Sequence, residues 1–241
     1  MPAPKGNRFT SRGQAVARFV AQRGLLKSVT WSVVKVEVID REKLKGVKRP
    51  FVVVANHSSH LDAPLIMGSL PRPLARYLAA GAAGDYFFDV WWRRGLTALF
   101  FNAFPVDRSG KNPRNINAKM LLEHKVPVLV FPEGTRSKDG SVGHFKPGAA
   151  ALASATNSPI LPIAIIGAHE AHPRGSKWPK AGRLPVGVVF GAPMKAKPGE
   201  NPTEFIARVR TAILGLLDQH SAHILDGQSL DPKHSDGKKK K

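Results

Sequence analysis

The stretch that decides the fold runs from Phe51 to Asp62 and reads FVVVANHSSHLD. Its apolar half follows Pro50 and is rich in β-branched residues, which is typical of a strand buried on both faces. Its polar half places His57 five positions before Asp62. An imidazole accepts a proton near neutral pH, and a neighbouring carboxylate orients the ring. From this spacing alone, an acid–base site and a loop histidine beside a helix-capping aspartate are equally good interpretations.

Polar residues follow two further apolar runs in the same way. Val126–Phe131 is followed at once by PEGTRS, which places Glu133 and Arg136 at the end of a second predicted strand. Ala103–Val106 is followed by Asp107 and Arg108. The carboxyl ends of parallel strands meet at one edge of a sheet, and loops there commonly carry the reacting groups. We therefore expect these polar loops to lie close together.

Short apolar runs alternate with helical patterns, which predicts an α/β fold with a largely parallel central sheet flanked by helices. The predicted strands are Val34–Ile39, Phe51–Val54, Arg76–Ala80, Ala103–Val106, Val126–Phe131, Ile160–Ile166 and Leu184–Phe190. The predicted helices include Pro64–Met67, Asn115–His124, Pro147–Ala155 and Thr203–Leu217. Three parts are expected: a basic arm with an N-terminal amphipathic helix over 1–33, one catalytic domain over 34–220, and a disordered basic tail over 221–241.

The composition restricts the chemistry. The chain has 241 residues and no cysteine, which excludes disulfides, cysteine-based zinc sites and thiol nucleophiles. Its 37 Lys and Arg against 17 Asp and Glu give a formal charge of +20. Such a field attracts nucleic acid, an anionic bilayer surface or phosphorylated substrates, and composition does not choose among them.

Two segments predict contact with a membrane surface. Gln14–Lys27 fits a basic amphipathic helix, and Asp85–Phe104 is rich in aromatic residues, with Trp91 and Trp92 beside two arginines. The alternative for the first segment is a helix packed on the core with a solvated basic face, and for the second a buried helix. The sequence lacks a secretory signal and a run of about 18 apolar residues, so we expect a peripheral protein on the cytoplasmic face of a membrane.

Taken together, the motifs resemble those of the glycerolipid acyltransferase family, which includes the 1-acylglycerol-3-phosphate acyltransferases. The matching segments occur in the family's order: the His-x4-Asp motif NHSSHLD at 56–62, FPVDR at 104–108, FPEGTRS at 131–137, FKPGA at 145–149 and LPIAIIG at 161–167. One such motif is weak evidence, whereas several in order are strong. The similarity extends from about Val34 to Leu217.

The resemblance implies transfer of a fatty acyl group from acyl-CoA or acyl carrier protein to the free hydroxyl of 1-acylglycerol-3-phosphate, forming phosphatidate. It implies no cofactor beyond this acyl donor thioester. His57 would be the general base and Asp62 would hold its ring, so Ser58 and Ser59 are loop residues rather than nucleophiles. The lysophospholipid phosphate would bind Arg136 first and Arg108 second, since guanidinium groups bind phosphate in a bidentate manner. The expected substrate-binding or loop-forming residues are Asn56, Glu133, Gly134 and Thr135.

Several alternatives remain open from the sequence. The three side chains of His57, His60 and Asp62 suggest a metal site, but their spacing is not that of a helical zinc site and we expect no metal. His169 and His172 are expected to be solvated loop histidines. The same chemistry on another lysophospholipid or a glycolipid is the main functional alternative. A basic binding protein for membranes or nucleic acid is the other, although no nucleic-acid-binding fold pattern is present and no specific nucleic acid is expected.

Overall fold

Seven strands form one sheet in the computed structural model, which describes residues 9–83, 99–106 and 118–226. Across the sheet the strands are β1 (Lys35–Ile39), β7 (Pro185–Phe190), β6 (Ile160–Ile166), β2 (Val52–Ala55), β5 (Val128–Val130), β3 (Ala79–Ala83) and β4 (Phe104–Val106). Every neighbouring pair is parallel except β6 with β7, which is antiparallel. The predicted α/β fold with a largely parallel sheet is confirmed.

Helices cover both faces of the sheet. They are α1 (Arg12–Val20), α2 (Lys27–Val33), α3 (Asp62–Ser69), α4 (Arg72–Ala75), α5 (Ala118–Glu123), α6 (Gly148–Ala155), α7 (Ala168–Ala171) and α8 (Pro202–Asp226). A π-helical turn over Ala21–Leu26 joins α1 to α2, and a 3-10 turn over Arg41–Leu44 follows β1. None of the described helices combines enough length with enough apolar character to cross a bilayer.

The central strand β2 divides the core in two. Because successive side chains of a strand point to opposite faces, Val52 and Val54 pack with α6 and α8, whereas Val53 and Ala55 pack with α3 and α4. All four side chains are fully buried. The uninterrupted apolar run in the sequence is therefore the consequence of burial on both faces, and it fixes the position of the loop that follows β2.

Some element boundaries differ from those predicted. Strand β3 begins at Ala79, three residues later than expected, and α8 extends to Asp226 rather than Leu217. The helix continues because its apolar spacing resumes beyond a polar stretch, and Ile224 is 2% exposed. The aromatic segment around Trp91 and Trp92 lies outside the described residues, as does most of the tail. The division into arm, domain and tail stays a prediction.

The N-terminal helical segment has an unexpected orientation. It runs from Arg12 to Val33 without interruption, and three of its polar residues, Arg18, Gln22 and Thr30, face the protein, whereas several of its apolar residues face outward. Arg18 is 3% exposed and donates to Asn102 Oδ1 at 2.7 Å, whereas Val20 is 62% exposed. The predicted basic amphipathic helix is therefore not confirmed, and its alternative, a core-packed helix with a solvated basic face, does not hold for the buried Arg18. The outward apolar residues, here called the N-terminal apolar face, are Val16, Val20, Leu25 and Val29.

Arg23 of this segment, together with Arg41, binds the carbonyl groups at the C-terminal end of α3. Arg23 donates through Nη1 to the carbonyl of Gly68 at 2.6 Å and through Nη2 to that of Leu70. Arg41 donates to the carbonyl of Ser69 at 2.8 Å. The last carbonyls of a helix have no partner within it, so two arginines from outside satisfy the C-terminal end of α3. The helix whose first residue is Asp62 is thereby fixed at both ends.

Candidate active site

His57 and Asp62 form a hydrogen-bonded pair at the carboxyl end of β2. Asp62 is the first residue of α3, and its Oδ2 lies 2.8 Å from His57 Nδ1. The same oxygen accepts the main-chain N–H groups of Ser58 at 2.8 Å and Ser59 at 2.9 Å. Asp62 is fully buried, whereas the His57 side chain is 21% exposed. A buried carboxylate needs such donors, and here they also curve the loop around it.

This arrangement selects one tautomer of His57. Because Asp62 Oδ2 is an acceptor, Nδ1 of the ring carries the hydrogen. In the neutral ring the lone pair then lies on Nε2, the nitrogen on the far side from Asp62. The buried carboxylate also stabilises the imidazolium that forms when Nε2 takes a proton. The pair can therefore act as an oriented general base.

The loop after β5 holds His57 from the other side. Glu133 Oε1 accepts the main-chain N–H of His57 at 2.8 Å, and Ser137 N donates to the His57 carbonyl at 2.8 Å. The Phe131 ring stacks on the imidazole with 4.0 Å between centroids and 14° between planes. The second oxygen of Glu133 accepts Gly143 N at 3.0 Å. One loop thus fixes both peptide groups and the ring face of the base.

Burial raises the pKa of the Glu133 carboxyl above its usual value, and the two main-chain donors oppose this rise. Both oxygens of Glu133 accept main-chain N–H groups, so the side chain holds the loop, while its contact with a substrate stays a prediction. Gly134, next in the loop, has φ of +74°, and a Cβ there would lie 3.2 Å from Lys146 Nζ. Glycine is favoured at this φ, which other residues rarely adopt. Thr135 is exposed.

Arg136 belongs to the same neighbourhood. Its main-chain carbonyl accepts a hydrogen bond from Arg174 Nη1 at 3.0 Å. Burial, followed by the charges of Arg136 and His172, lowers the pKa of His60 to about 4. The structure therefore places Arg136 near the loop that carries the His57–Asp62 pair, and its role in binding phosphate stays a prediction. Arg108 lies outside the described residues.

Asn56 has a structural task. Its side-chain amide donates to the Ile165 carbonyl at 2.9 Å and accepts the Ile165 N–H at 2.8 Å. This two-way contact joins the end of β2 to β6 immediately before His57. Asn56 therefore holds the loop through one N–H and one acceptor position of its amide.

The sequence interpretation missed the role of His172. It was expected to be a solvated loop residue, but it is 6% exposed, so that expectation is wrong. Its carbonyl accepts Ser59 Oγ at 2.9 Å, its Nε2 lies 3.1 Å from the carbonyl of Ser176, and its ring centroid is 5.9 Å from that of His60. The short helix α7 precedes His172, and its sequence signal is the spacing of Ala168 and Ala171. Both alanines are buried in the structure. Phe131 was also not predicted as a partner of His57.

Among the described residues, no group of three or more His, Asp and Glu side chains is arranged to hold a metal ion. An open cavity of about 310 Å³ lies beside Asn56 and Ser58, between the end of β6 and α8. A second, of about 480 Å³, lies between Gly143–Phe145 and α8. Both adjoin segments that hold the His57 loop, and the loop Ser141–Gly143 separates them.

Comparison with known proteins gives consistent matches. The family model for Acyltransferase matches residues 35–166. The 1-acyl-sn-glycerol-3-phosphate acyltransferase of Chlamydomonas reinhardtii is 32% identical over 76% of this chain and 53% of its own length. The 1-acyl-sn-glycerol-3-phosphate acyltransferase alpha of Homo sapiens is 32% identical over 72% of this chain and 60% of its own. The chain thus spans between about half and three fifths of these two relatives.

A solved structure agrees with this result. The crystal structure of the 1-acyl-sn-glycerophosphate acyltransferase from Thermotoga maritima superposes with a TM-score of 0.66 and 28% identity, covering 88% of this chain and 85% of that one. The residues matched by the family model include β1 to β6 and both loops that enclose His57. Since that model covers more than half of the sequence, the chain belongs to the Acyltransferase family.

Proposed function

We propose that the protein transfers a fatty acyl group from acyl-CoA or acyl carrier protein to the free hydroxyl of 1-acylglycerol-3-phosphate, forming phosphatidate in phospholipid synthesis. The observation that carries this proposal is the 2.8 Å contact of His57 Nδ1 with buried Asp62, which leaves Nε2 as a base. The similarity to relatives named 1-acyl-sn-glycerol-3-phosphate acyltransferase supports the choice of acceptor.

In the proposed reaction, Nε2 of His57 removes the proton of the acceptor hydroxyl as its oxygen attacks the thioester carbonyl. The carbonyl carbon becomes tetrahedral and its oxygen carries the negative charge, which needs hydrogen-bond donors. Collapse of this intermediate breaks the carbon–sulfur bond, and the thiolate receives the proton held by the His57 imidazolium. Each proton and electron pair is accounted for without an acylated enzyme residue. This agrees with the absence of cysteine.

The acceptor phosphate would bind Arg136, with Arg108 as the second guanidinium. Arg136 lies near enough to His60 to lower the pKa of that imidazole, and His60 is three residues from the base. A guanidinium pairs with two phosphate oxygens at once, so it would fix the acceptor relative to Nε2. The formal charge of +20 would attract anionic substrates and surfaces over a longer range.

The protein would act as a peripheral protein on the cytoplasmic face of a membrane, where its lipid substrates reside. The N-terminal apolar face supports this proposal, because Val20, Leu25 and Val29 are each more than half exposed along one helical segment. Apolar residues on one side of a helix insert into the boundary between headgroups and acyl chains.

The proposal is tested by incubating the purified protein with one labelled acyl-CoA and a panel of lysolipids, then repeating the assay with the acyl carrier protein thioester. We expect acylation of lysophosphatidate with release of one thiol per product. His57→Ala should abolish it, whereas His124→Ala, a partly exposed histidine at the opposite end of β5, should not. Thiol release at the uncatalysed rate with every acceptor, or full activity of His57→Ala, would refute the proposal.

The same panel of lysolipids distinguishes the proposed acceptor from the main alternative, another lysophospholipid or a glycolipid. If Arg136 binds a phosphomonoester, Arg136→Gln should raise KM for lysophosphatidate strongly and have little effect on any residual turnover of a lysophospholipid with a capped phosphate. Preferential acylation of a capped lysophospholipid or glycolipid alcohol would keep the chemistry and replace the acceptor.

A further inference from the structure

A surface loop that the proposed reaction does not use carries an unusual combination of residues. Between β6 and β7, the segment from Pro173 to Leu184 reads PRGSKWPKAGRL, with four cations and no Asp or Glu. We call it the basic tryptophan loop. Trp178 at its centre is 81% exposed, the largest value among the exposed large apolar side chains of the described residues.

The loop is held firmly although its centre is exposed. Arg174 at one end donates to the Arg136 carbonyl at 3.0 Å, and Arg183 at the other end donates to the Trp31 carbonyl at 2.9 Å. Lys180 N also donates to the Ala171 carbonyl at 2.7 Å. The two arginines therefore serve as anchors. Exposure of Trp178 is the result of this fixed conformation.

The two lysines have a different position. Lys177 and Lys180 flank Trp178, both are exposed, and within the described part of the chain neither ammonium has a hydrogen-bond or ion-pair partner. The loop thus presents an indole between two uncompensated cations. Tryptophan favours the headgroup level of a bilayer, where its ring is half in apolar and half in polar surroundings, and lysine favours lipid phosphates.

The location of the loop links it to the active site and to the N-terminal segment. It begins at the carboxyl end of β6, the edge of the sheet at which β2 and β5 deliver His57 and Glu133. Its far end contacts Trp31 in α2, which continues the segment that bears the N-terminal apolar face. The loop thus extends from the edge of the sheet that carries His57 to the N-terminal segment.

We propose that the basic tryptophan loop docks on an anionic lipid bilayer, with Trp178 at headgroup level and Lys177 and Lys180 on lipid phosphates. This contact is separate from the N-terminal apolar face and sets the His57 edge of the sheet at the lipid surface. The inference rests on the proposed function in that it assumes a lipid substrate. A protein partner, such as an acidic acyl carrier protein, is the competing occupant, and the exposed indole favours the bilayer.

The absence of cysteine in the native chain allows a direct test. Ala181→Cys places a single thiol in the loop, and Ala192→Cys places one at an exposed position after β7, at the opposite edge of the sheet. Each thiol is labelled with an environment-sensitive fluorophore, and vesicles of phosphatidylcholine with or without phosphatidylglycerol are added. We expect a blue shift and increased intensity at position 181 with the anionic vesicles, and no change at position 192.

Charge reversal gives a second, independent measurement. Lys177→Glu with Lys180→Glu should weaken partition onto phosphatidylglycerol vesicles by at least about tenfold, since each lysine near an anionic surface contributes about fivefold. Lys195→Glu with Lys197→Glu changes the same charge at the opposite edge and should have a much smaller effect. The ratio of activity on vesicle-borne lysophosphatidate to activity in detergent should fall only for the first pair.

The outcomes separate this inference from the proposed function. An equal response at positions 181 and 192, no response at 181, or equal effects of the two charge reversals would overturn the docking surface. A response of position 181 to acyl carrier protein and not to vesicles would assign the loop to a protein partner instead. If no lysolipid is acylated even in detergent, the proposed function fails, and the fluorescence result still decides the loop.

Discussion

The rings of Phe131 and His57 lie face to face, with 4.0 Å between their centroids and 14° between their planes. Phe131 follows β5 and His57 follows β2, two strands that are direct neighbours in the sheet. The proposed base therefore has one face covered by an aromatic ring and one edge held by Asp62. Its position is determined by two loops rather than one.

Removal of the stack should slow the reaction. An aromatic pair contributes about 0.5 to 1.5 kcal/mol, so Phe131→Leu should reduce kcat by up to about tenfold, with a smaller change in KM. Phe131→Tyr keeps the ring and should retain most of the activity. Steady-state kinetics of both variants provide the test. An unchanged kcat in the leucine variant would mean that the stack does not position the base.

Asp62→Asn should strongly reduce kcat while preserving the fold. The three contacts of Asp62 all fall on Oδ2, so the amide oxygen can take that place and still accept His57 Nδ1, Ser58 N and Ser59 N. The negative charge that stabilises the imidazolium is lost, and since a hydrogen bond to a charged group contributes about 1.5 to 3 kcal/mol, a loss of about 10 to 10²-fold in kcat is expected. Circular dichroism should match that of the wild type. Retention of more than half of the activity would contradict the role of the Asp62 charge.

Glu133→Gln should reduce both stability and kcat. A glutamine offers one acceptor oxygen, so either His57 N or Gly143 N loses its partner. A hydrogen bond to a charged group contributes about 1.5 to 3 kcal/mol, and each kcal/mol corresponds to about 2 to 4 °C in Tm in a chain of this size. Glu123→Gln is the control, because Glu123 is half exposed in an ion pair of 4.0 Å. Equal melting temperatures for the two variants would count against the loop-holding role.

Ser59→Ala should be active and slightly less stable. The hydroxyl donates to the His172 carbonyl at 2.9 Å and accepts Leu61 N at 3.2 Å, so its loss removes contacts worth about 1 kcal/mol each. The proposed reaction has no acyl-serine, so the activation free energy should change by no more than about 1.4 kcal/mol. Activity should therefore stay within about tenfold of the wild type. Mass spectrometry after incubation with donor alone should detect no acylated protein. An acylated Ser59 would refute the direct transfer.

His60 should make the folded state lose stability in acid. The residue is exposed at one side, but desolvation of the ring, followed by the charges of Arg136, His172 and His57, lowers its pKa to about 4, against about 6.5 in the unfolded chain. As pH falls from about 6.5 to about 4, the unfolded state binds a proton that the folded state does not, so this group's contribution to stability falls over that window. Below about pH 4 the contribution of His60 to stability stays constant. His60→Asn should weaken the dependence of the unfolding free energy on pH, as measured by urea titrations at several pH values. An NMR titration of His60 with a midpoint near pH 6.5 would contradict the prediction.

Much of this arrangement was predictable from the chain because its causes are local or periodic. The apolar runs of β2 and β6 predict strands buried on both faces, and the polar residues that follow β2 and β5 predict loops at one edge. Their spacing made the pairing of His57 with Asp62 one of two equally good interpretations, and the structure selects it by starting α3 at Asp62.

The features that were not predicted from the sequence depend on contacts between segments that are distant in the chain. The Phe131 stack requires β5 to lie beside β2, which no local pattern states. Burial of His172 results from the turn of α7 against the loop of Ser59, 113 positions away. The reversed N-terminal segment follows from polar partners on α3 and around Asn102, which override its apolar periodicity.

The arginine contacts at the end of α3 have a mechanical consequence. The helix has eight residues and is about 12 Å long, with Asp62 at its first position and Arg23 bonded to the carbonyls at its last turn. It acts as a short rigid strut between the N-terminal segment and the carboxylate that orients His57. Deletion of the segment through Leu26 would remove Arg23 and leave only Arg41 at this end of α3, which should loosen the base even toward an acceptor free in solution. The segment that bears the N-terminal apolar face thus also supports the position of Asp62 and, through it, of His57.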